Sequence, residues 1–448
     1  MNRQYLNNLR KLTYRVLPFL LLAILISCSD DGTGPDSGTT VSGKATLSGQ
    51  SDHSGINIML FKPIEIDTML SNLNSRYPGI GVEVSQRTEF YWWEHTPVYQ
   101  TTTGADGSWR IENVSEASYH IVAEKDGYGW KVIYNAHQSQ KDIQLAAETQ
   151  LSGTIAQDMT VNTGAYVVIS GRVIFAQGRR LTIEPGVNVE FVNNGELEIN
   201  GRFACNGDEG NEIYFISREA SNISGIRLLL SKNSSMAYAC FNNVARGVIF
   251  ATSDSSSITH TRIDNGRDAV TIFDSKTISV ANNTITNMMQ GIVSDASGDN
   301  DYTGNLIVNI AENGIDAYNE DNSLIQNNLF KYCGLYGLAI NSGGSPSSIF
   351  FLNNFNIIEN DFIHNQNHIF VGKKAFCIAN QNNFVNETNL IVNTDILRNA
   401  DTLNFQYNYW GYTDVAQIEE KIFDHHDEIN PERPIIDYLN YKPSYSGW

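Results

Sequence analysis

The chain has 448 residues and a formal net charge of −19, from 49 acidic and 30 basic side chains. This length predicts two or three domains, unless a repeat fold extends a single one. With 18% charged and 41% hydrophobic residues, the sequence is not a disordered acidic tail. Because a phosphate backbone repels an acidic surface, we expect no nucleic-acid partner. Five cysteines without a CxxC pair predict neither a disulfide scaffold nor a zinc site.

The first 27 residues have the pattern of a secretory signal peptide. Basic side chains, with no acidic one among them, precede a short apolar run at residues 19–26, which is the order typical of such a signal. The run is too short to span a bilayer as a helix, which needs about 20 apolar residues. We therefore expect residues 1–27 to direct export.

The apolar run ends in Leu25-Ile26-Ser27-Cys28, which resembles the lipobox of bacterial lipoproteins. The resemblance implies cleavage before Cys28, lipidation of that residue and a membrane partner reached through the lipid anchor, since two or three acyl chains hold a protein stably on a membrane. It also implies a bacterial cell-envelope location, as an outer-membrane lipoprotein or at the cell surface. The alternative is an ordinary signal with a chance cysteine. Residues 28–40 are interpreted as a flexible tether, because they offer almost nothing apolar to bury.

Residues 41–148 alternate apolar and polar positions with the period of two that strands have. Short strands separated by glycine-containing turns are predicted, for example at 56–60 and 119–123, and several such strands predict a small β-sandwich. The segments 102–109 and 123–128 resemble the carboxypeptidase regulatory-like domain. The resemblance implies a transthyretin-like β-sandwich that is not catalytic.

An insertion at residues 64–99 departs from that resemblance and contains the aromatic segment 90–95. If this segment is exposed, the rings of Tyr91, Trp92 and Trp93 can stack on sugars and bind a glycan. The alternative, which we favour, is a strand that buries alternate aromatic rings in the core of the sandwich.

Residues 149–410 consist of short strands with a repeat of about 22 residues. An inward apolar residue recurs at this interval, and one interval is longer. The positions are Phe241, Ile263, Ile285, Ile307, Phe330, Phe362 and Phe384. Three strands and three turns fit in 22 residues, so each repeat is predicted to form one rung of a parallel β-helix.

Asparagines keep the same register as the inward residues. One set precedes the inward residue by two positions: Asn283, Asn305, Asn328, Asn360 and Asn382. Asparagines stacked at turns form ladders of side-chain amides, so we interpret them as structural rather than catalytic.

This region resembles the right-handed parallel β-helices of the pectate lyase-like superfamily, with residues 408–411 similar to a terminal rung. The fold class is therefore all-β: a sandwich, a right-handed parallel β-helix and a C-terminal cap at residues 411–448. In the cap we expect a short helix with Asp414 as its N-cap and Gln417 in a capping box, ending near Phe423. A tail around Ile435 is expected to cover the last rung.

Acidic residues follow the third strand of successive rungs, starting at Asp274. They define the acidic edge, with candidate calcium ligands Asp295, Asp299, Asp301, Asp316, Glu320 and Asp321. Carboxylates are the ligands that calcium prefers, so calcium is the one cofactor predicted. The alternative is a set of solvated loops on an acidic protein. No complete catalytic motif of the superfamily is present, so no catalytic residue is carried over; Arg262 and Arg267 are nearby candidates for a base.

Outward positions beside this edge are more apolar than a solvated face. They are Ile249, Thr271, Val293, Asp316, Ala339 and Phe370. Such a stripe predicts packing against the sandwich, a loop at 343–346 or a partner. The segment 424–428 contains two histidines and three acids but lacks metal-site spacing, and it is interpreted as a solvated turn.

Two functions remain open at this point. The first is a lipid-anchored, non-catalytic envelope protein whose β-helix presents a glycan-binding or structural surface. The second is a polysaccharide lyase or glycoside hydrolase acting on an acidic polysaccharide in the β-helix groove. The lipobox, the regulatory-like module and the incomplete catalytic motifs favour the first, while the ligand and the oligomeric state stay open.

Overall fold

The computed structural model describes residues 39–445 except 138–140, 219–223, 342–352, 374, 386–388 and 397–400. The predicted signal, Cys28, most of the tether and the loop at 343–346 lie outside the described residues. None of the helices in the described part of the chain has the length and apolar character needed to cross a membrane.

The N-terminal domain consists of two small sheets that share one core. Its strands are β1 (Thr39–Leu47), β2 (Asn57–Phe61), β3 (Tyr99–Thr102), β4 (Ser108–Val114), β5 (Tyr119–Glu124), β6 (Trp130–Ala136) and β7 (Lys141–Leu145). One sheet has the order β4-β1-β7 and the other β3-β2-β5-β6. Ala45 of the first sheet and Ile58 and Ile121 of the second lie in the same fully buried cluster. Alternation along the strands therefore directs one side of each sheet to this core.

The insertion between β2 and β3 forms helices, not a strand. It contains α1 (Thr68–Arg76), α2 (Gln86–Glu89) and a 3₁₀ turn at Trp92–Glu94. The Asp67 carboxylate accepts hydrogen bonds from the backbone N–H groups of Met69 and Leu70 and caps α1. The predicted strand through the aromatic segment is therefore wrong, because that segment leaves the sandwich and turns towards the next domain.

The C-terminal domain is a parallel β-solenoid of about 11 turns, which fits the predicted right-handed parallel β-helix. Its strands are β8 (Glu148–Ile155), β9 (Met159–Val161), β10 (Tyr166–Phe175), β11 (Arg180–Ile183), β12 (Asn188–Ile199), β13 (Arg202–Asn206), β14 (Ile213–Ile216), β15 (Gly225–Leu229), β16 (Ser235–Ala237), β17 (Ala239–Asn242), β18 (Arg246–Ala251), β19 (Ser257–Thr259), β20 (Arg262–Phe273), β21 (Ser279–Ala281), β22 (Thr284–Asp295), β23 (Asp301–Thr303), β24 (Leu306–Ile310), β25 (Ile315–Tyr318), β26 (Leu324–Gln326), β27 (Leu329–Cys333), β28 (Tyr336–Asn341), β29 (Asn353–Ile358), β30 (Asp361–Ile363), β31 (Asn367–Val371), β32 (Ala375–Asn380), β33 (Asn383–Val385), β34 (Leu390–Thr394), β35 (Thr402–Asn404), β36 (Ile422–Phe423) and β37 (Ile435–Asp437).

Each rung of the solenoid contributes to three faces. Face A is a 12-stranded sheet that runs from β9 to β37. Face B contains β14, β17, β24, β27, β30 and β33, and face C contains β15, β18, β25, β28, β31, β34 and β36. The longer strands β10, β12, β20 and β22 contribute their first halves to face B and their second halves to face C.

The repeat read from the sequence is confirmed by the strand register. Ile263 pairs with Ile285, and Ile307 pairs with Phe330, which lies 23 residues later in the sequence. Phe330 pairs with Phe362, and their rings stack with centroids 4.8 Å apart. All are buried in the solenoid core, so each inward side chain packs on its equivalent in the next rung.

The predicted asparagine ladder is also present, at the turn between faces A and B. The Asn305 Nδ2 group donates to Asn328 Oδ1 at 2.9 Å, and the Asn328 Nδ2 group donates to Asn360 Oδ1 at 3.0 Å. The same acceptor oxygens receive the backbone N–H of the preceding asparagine. Because these asparagines are fully buried, their amides satisfy the backbone groups that a buried turn leaves unpaired.

The C-terminal segment continues the solenoid further than expected. The helix α3 (Val415–Glu419) has Asp414 as N-cap but is shorter than predicted, because the chain returns to the solenoid at β36, which pairs with β34. The tail strand β37 pairs with β35 on face A. The segment around residue 435 therefore extends the sheet instead of lying across its end.

Face B is covered by the insertion and by the C-terminal tail. Leu70 and Leu73 of α1 pack on Leu306 and Leu329 of the solenoid. Farther along, the hydroxyl oxygens of Tyr77 and Tyr445 are 2.6 Å apart, and the Tyr445 hydroxyl donates to the buried Asp361 carboxylate at 2.8 Å. The insertion and the C-terminal tail are thus joined to each other on the same face.

Candidate functional site

The aromatic segment of the insertion lies in the contact between the two domains. Trp92 packs with Trp130 of the N-terminal domain and with Tyr214 of the solenoid in one hydrophobic cluster. Tyr91 and Trp92 are buried, and only Trp93 is half-buried. The prediction of an exposed glycan-stacking surface at Tyr91, Trp92 and Trp93 is therefore corrected: the rings are used to join the domains.

Polar contacts also join the insertion to the solenoid in this contact zone, which we call the seam. The Arg262 guanidinium on face B lies 3.3 Å from the Glu89 carboxylate of α2, and both side chains are nearly inaccessible to solvent. Gly81 donates its backbone N–H to the Gly304 carbonyl at 2.8 Å. Arg262 is therefore part of a structural ion pair, and Arg267 pairs with Asp268. Because both arginines are paired with carboxylates, neither is positioned to act as the catalytic base that the sequence suggested.

The seam contains a groove lined by both domains. The groove has a volume of about 520 Å³ and lies between residues 81–88 of the insertion and solenoid residues that include Glu212, Tyr238 and His260. The Tyr238 and His260 rings stack with centroids 4.9 Å apart. The groove offers aromatic and carboxylate groups.

The six acidic-edge residues have different environments. Asp299 and Asp301 are exposed, whereas Asp295, Asp316 and Asp321 are half-buried. Glu320 is completely buried and accepts hydrogen bonds from Asn300, Tyr302 and Ser323.

Within the described ranges there is no group of three or more His, Cys, Asp or Glu side chains arranged to hold a metal ion. The calcium set stays a prediction, and Glu320 is unsuited to it because its carboxylate is inside the solenoid.

Glu320 occupies a position that serine holds in earlier rungs. The Ser253 backbone N–H donates to Ser275 Oγ at 2.9 Å, and the Ser275 N–H donates to Ser297 Oγ at 3.3 Å. The next residue in this column is Glu320, beside the bridge between Gly298 and Asp321. Burial raises the pKa of the Glu320 carboxyl, while its hydrogen-bond donors lower it by less.

Face C presents two columns of outward side chains along the solenoid axis. The first column is Ile249, Thr271, Val293, Asp316, Ala339 and Phe370. The second column is Ala251, Phe273, Asp295, Tyr318 and Asn341. The inward residues between them, such as Val270 and Ile272, are fully buried, so both columns lie on the outer surface of the same sheet.

The second column places an acid between two aromatic rings. Phe273 pairs with Asp295, and Asp295 pairs with Tyr318. Phe273 is 50% exposed and Tyr318 is 37% exposed. The sequence pattern indicates the first column and Asp295 but not the two aromatic residues. Their spacing, two residues after Thr271 and Asp316, was the signal that could have found them.

The two carboxylates of face C are held by amides. The Asn319 side chain donates to Asp295 Oδ1 at 3.3 Å, and the Asn313 side chain donates to Asp316 Oδ2 at 3.1 Å. Burial raises the pKa of Asp316, and the Asn313 hydrogen bond lowers it by a smaller amount. Face C therefore combines apolar rings with oriented acceptors, which is the chemistry that recognises sugars.

The histidine segment at 424–428 is structural and not fully solvated. Asp424 is buried and its carboxylate accepts hydrogen bonds from the backbone N–H groups of His426 and Ile436, both at 2.8 Å. The interpretation as a solvated turn is thus corrected for Asp424.

Among the described residues the four cysteines are free and buried, and burial raises the pKa of Cys240 to about 12.

Comparison with solved structures finds a similarity to the catalytic domain of a GH87 α-1,3-glucanase variant determined in complex with tetrasaccharides. The identity is 10%, the match covers 82% of this chain and 78% of that chain, and the TM-score is 0.38. At this level the likeness carries no argument about function. No curated protein matches the chain.

Residues 167–414 match the family described as "Periplasmic copper-binding protein (NosD)". The match lies within the solenoid and covers most of it, and a periplasmic family fits the cell-envelope location predicted from the signal. In the portion of the chain that the structure describes, His, Cys, Asp and Glu side chains form no metal-holding group of three or more, so those residues do not fit a copper site. Because the match covers more than half of the sequence, the chain belongs to the NosD family.

Proposed function

We propose that the protein is a non-catalytic glycan-binding protein of the cell envelope, and that face C is its binding surface. The observation that carries this proposal is the column in which Asp295 lies between the exposed rings of Phe273 and Tyr318. An aromatic face packs against the C–H groups of a sugar ring, and a carboxylate accepts hydrogen bonds from its hydroxyls.

The repeat of the solenoid supports a linear polymer as the ligand. Phe273 and Tyr318 stand two rungs apart, about 9.6 Å at the spacing of paired strands, a distance comparable with a disaccharide unit of an extended glycan. Phe370 continues the apolar surface two rungs beyond Asp316. A chain lying along the solenoid axis therefore meets similar chemistry at successive units.

Calorimetric titration with a panel of soluble oligosaccharides tests this proposal. Phe273→Ala and Tyr318→Ala should each weaken binding roughly tenfold, since stacking contacts contribute about 1–1.5 kcal/mol. Tyr407→Ala is the matched control, because Tyr407 is 51% exposed but lies away from face C. Equal affinity in all three folded variants, or no ligand on a broad panel, contradicts the proposal.

A second candidate function, glycoside hydrolysis, is favoured by the placement of Asp295 and Asp316. They lie on adjacent strands of face C and are offset by two residues, which puts their Cβ atoms roughly 8 Å apart. Inverting glycosidases separate their two carboxyl groups by about 6.5–9.5 Å, a range that the carboxyl groups of two aspartates with this Cβ spacing can reach. The raised pKa of Asp316 suits the acid. Release of reducing ends that Asp316→Asn abolishes, with binding retained, identifies this activity instead of the first.

For location, we propose that Cys28 carries the lipid anchor and that the N-terminal domain is a carboxypeptidase regulatory-like module holding the solenoid away from the membrane. The lipobox-like segment 25–28 supports the anchor. Metabolic labelling with a fatty acid tests it: label should enter the wild type and be lost in Cys28→Ser. Label in neither protein would contradict the anchor and leave face C unaffected.

A further inference from the structure

We infer that the glycan bound on face C carries no carboxylate, and that it is a neutral or amine-bearing polymer. This inference rests on the proposed binding function and names its ligand class. It reverses the acidic polysaccharide expected from the sequence for the enzymatic alternative. The reason is the distribution of charge on and around the two columns.

The charged side chains in the two columns between Ile249 and Phe370 are Asp295 and Asp316, and both are acidic. Within the described residues their hydrogen-bond donors are the neutral amides of Asn319 and Asn313, and neither forms an ion pair. Their carboxyl groups are therefore available to a ligand lying across the rings.

Basic residues near the N-terminal end of face C are already paired with acids. Arg172 pairs with Glu198. Arg227 extends the first column by one rung beyond Ile249, and it lies beside Glu198, whose carboxylate it stabilises in the charged form. Arg267 lies 2.7 Å from Asp268 and Arg246 lies 4.0 Å from the same carboxylate. These guanidinium groups are not free to receive the carboxylates of a uronate chain.

The rim between faces C and A adds more negative charge. Asp274 and Asp299 are exposed there. The nearby Lys232 pairs with Asp254 at 2.7 Å, and Lys276 also interacts with Asp254. A polyuronate approaching Phe273 and Tyr318 would therefore meet repulsion, whereas an amine would be attracted.

Titration of the full exported chain with three oligosaccharides of similar length provides the test: N-acetylglucosamine oligomers, their deacetylated amine form, and galacturonate oligomers. At neutral pH the amine form should bind most tightly and weaken as salt rises to about 0.15 M, because salt screens exposed charges. The neutral form should bind with little salt dependence. The galacturonate oligomer should not bind in the presence of a chelator.

The double variant Asp295→Asn/Asp316→Asn separates charge from shape. It should reduce affinity for the amine form about tenfold, which corresponds to a loss of about 1.4 kcal/mol of attraction, and should leave the neutral form nearly unchanged. Asp126→Asn, an exposed substitution in the N-terminal domain, is the matched control and should change neither affinity.

The outcomes distinguish the inference from the function on which it rests. Binding of galacturonate as tight as that of the amine form, with or without calcium, overturns the ligand class but leaves face C as a glycan-binding surface. If Phe273→Ala does not weaken any binding that is found, or none of the three ligands binds, the proposed function and the inference fall together.

Discussion

The Arg262 guanidinium of the solenoid lies 3.3 Å from the Glu89 carboxylate of the insertion, and both side chains are buried in the seam. The two residues are 173 positions apart in the chain. Two buried charges that face each other across a domain contact make the N-terminal domain a fixed part of the solenoid surface and not a freely moving neighbour.

Removal of one partner of this ion pair should destabilise the protein strongly. Arg262→Met leaves the Glu89 charge buried without its partner, which costs about 3–5 kcal/mol, measurable by urea unfolding. Glu116→Gln is the control, because the Lys62–Glu116 pair is exposed and exposed pairs contribute about 0–1 kcal/mol. Similar losses in the two variants would show that the seam pair is solvated.

Gly81 is predicted to be essential for docking of the insertion on the solenoid. A Cβ at this position would lie 2.5 Å from Thr284 Oγ1 and 2.6 Å from Leu306 Cβ. Gly79 has a similar positive φ but nothing within 4 Å of its Cβ. In both Gly→Ala variants the left-handed conformation lowers the free energy of unfolding by about 1–2 kcal/mol. Any larger loss in Gly81→Ala, together with faster proteolysis of residues 77–88, therefore measures the contact with the solenoid. Equal stability and equal proteolysis of the two variants would contradict a tight contact at Gly81.

The asparagine ladder should contribute stability that an exposed asparagine does not. Asn328→Ala removes a side chain that accepts from Asn305 and donates to Asn360 and to the Tyr302 carbonyl. We expect a loss of about 2–4 kcal/mol, since each buried group left unpaired costs about 1–3 kcal/mol. The exposed Asn356→Ala should change stability by less than about 0.5 kcal/mol. Equal effects would mean that water replaces the ladder.

Glu320 should make stability depend on pH. Burial raises its pKa in the folded state, so the folded chain holds this proton more tightly than the unfolded chain. Its stabilising contribution is complete below the unfolded pKa of about 4.3 and is lost as pH rises through the higher folded pKa.

Glu320→Gln removes this dependence. Its free energy of unfolding, measured by denaturant titration, should improve relative to the wild type as pH increases from 4 to 7. A difference that stays constant over this range would show that the pKa of Glu320 is the same in the folded and unfolded states.

The solenoid could be predicted because the residues that define each rung recur at a nearly constant interval along the sequence. Ile285 and Ile307 occupy equivalent positions in consecutive rungs, so a fixed interval in the sequence corresponds directly to a strand pairing. The serine column at Ser275 and Ser297 contains the same type of signal, and aligning it further would have shown that Glu320 is buried.

The seam and the binding surface could not be predicted in this way. Trp92 is buried by Trp130 and Tyr214, and such contacts between distant segments leave no periodic pattern in the sequence. Exposure of Phe273 depends on the small size of its neighbours Ala251 and Asp295 in the stack. Sequence analysis identified the acidic and apolar residues of this face but not which rings stand out from it.

The most direct test of the account is hydroxyl-radical footprinting of the protein with and without a bound oligosaccharide. Binding on face C predicts protection of Phe273 and Tyr318, with Tyr407 and the seam residues Tyr238 and His260 unchanged. Protection of Tyr238 and His260 while Phe273 and Tyr318 stay reactive would move the site to the seam groove and contradict the assignment of face C.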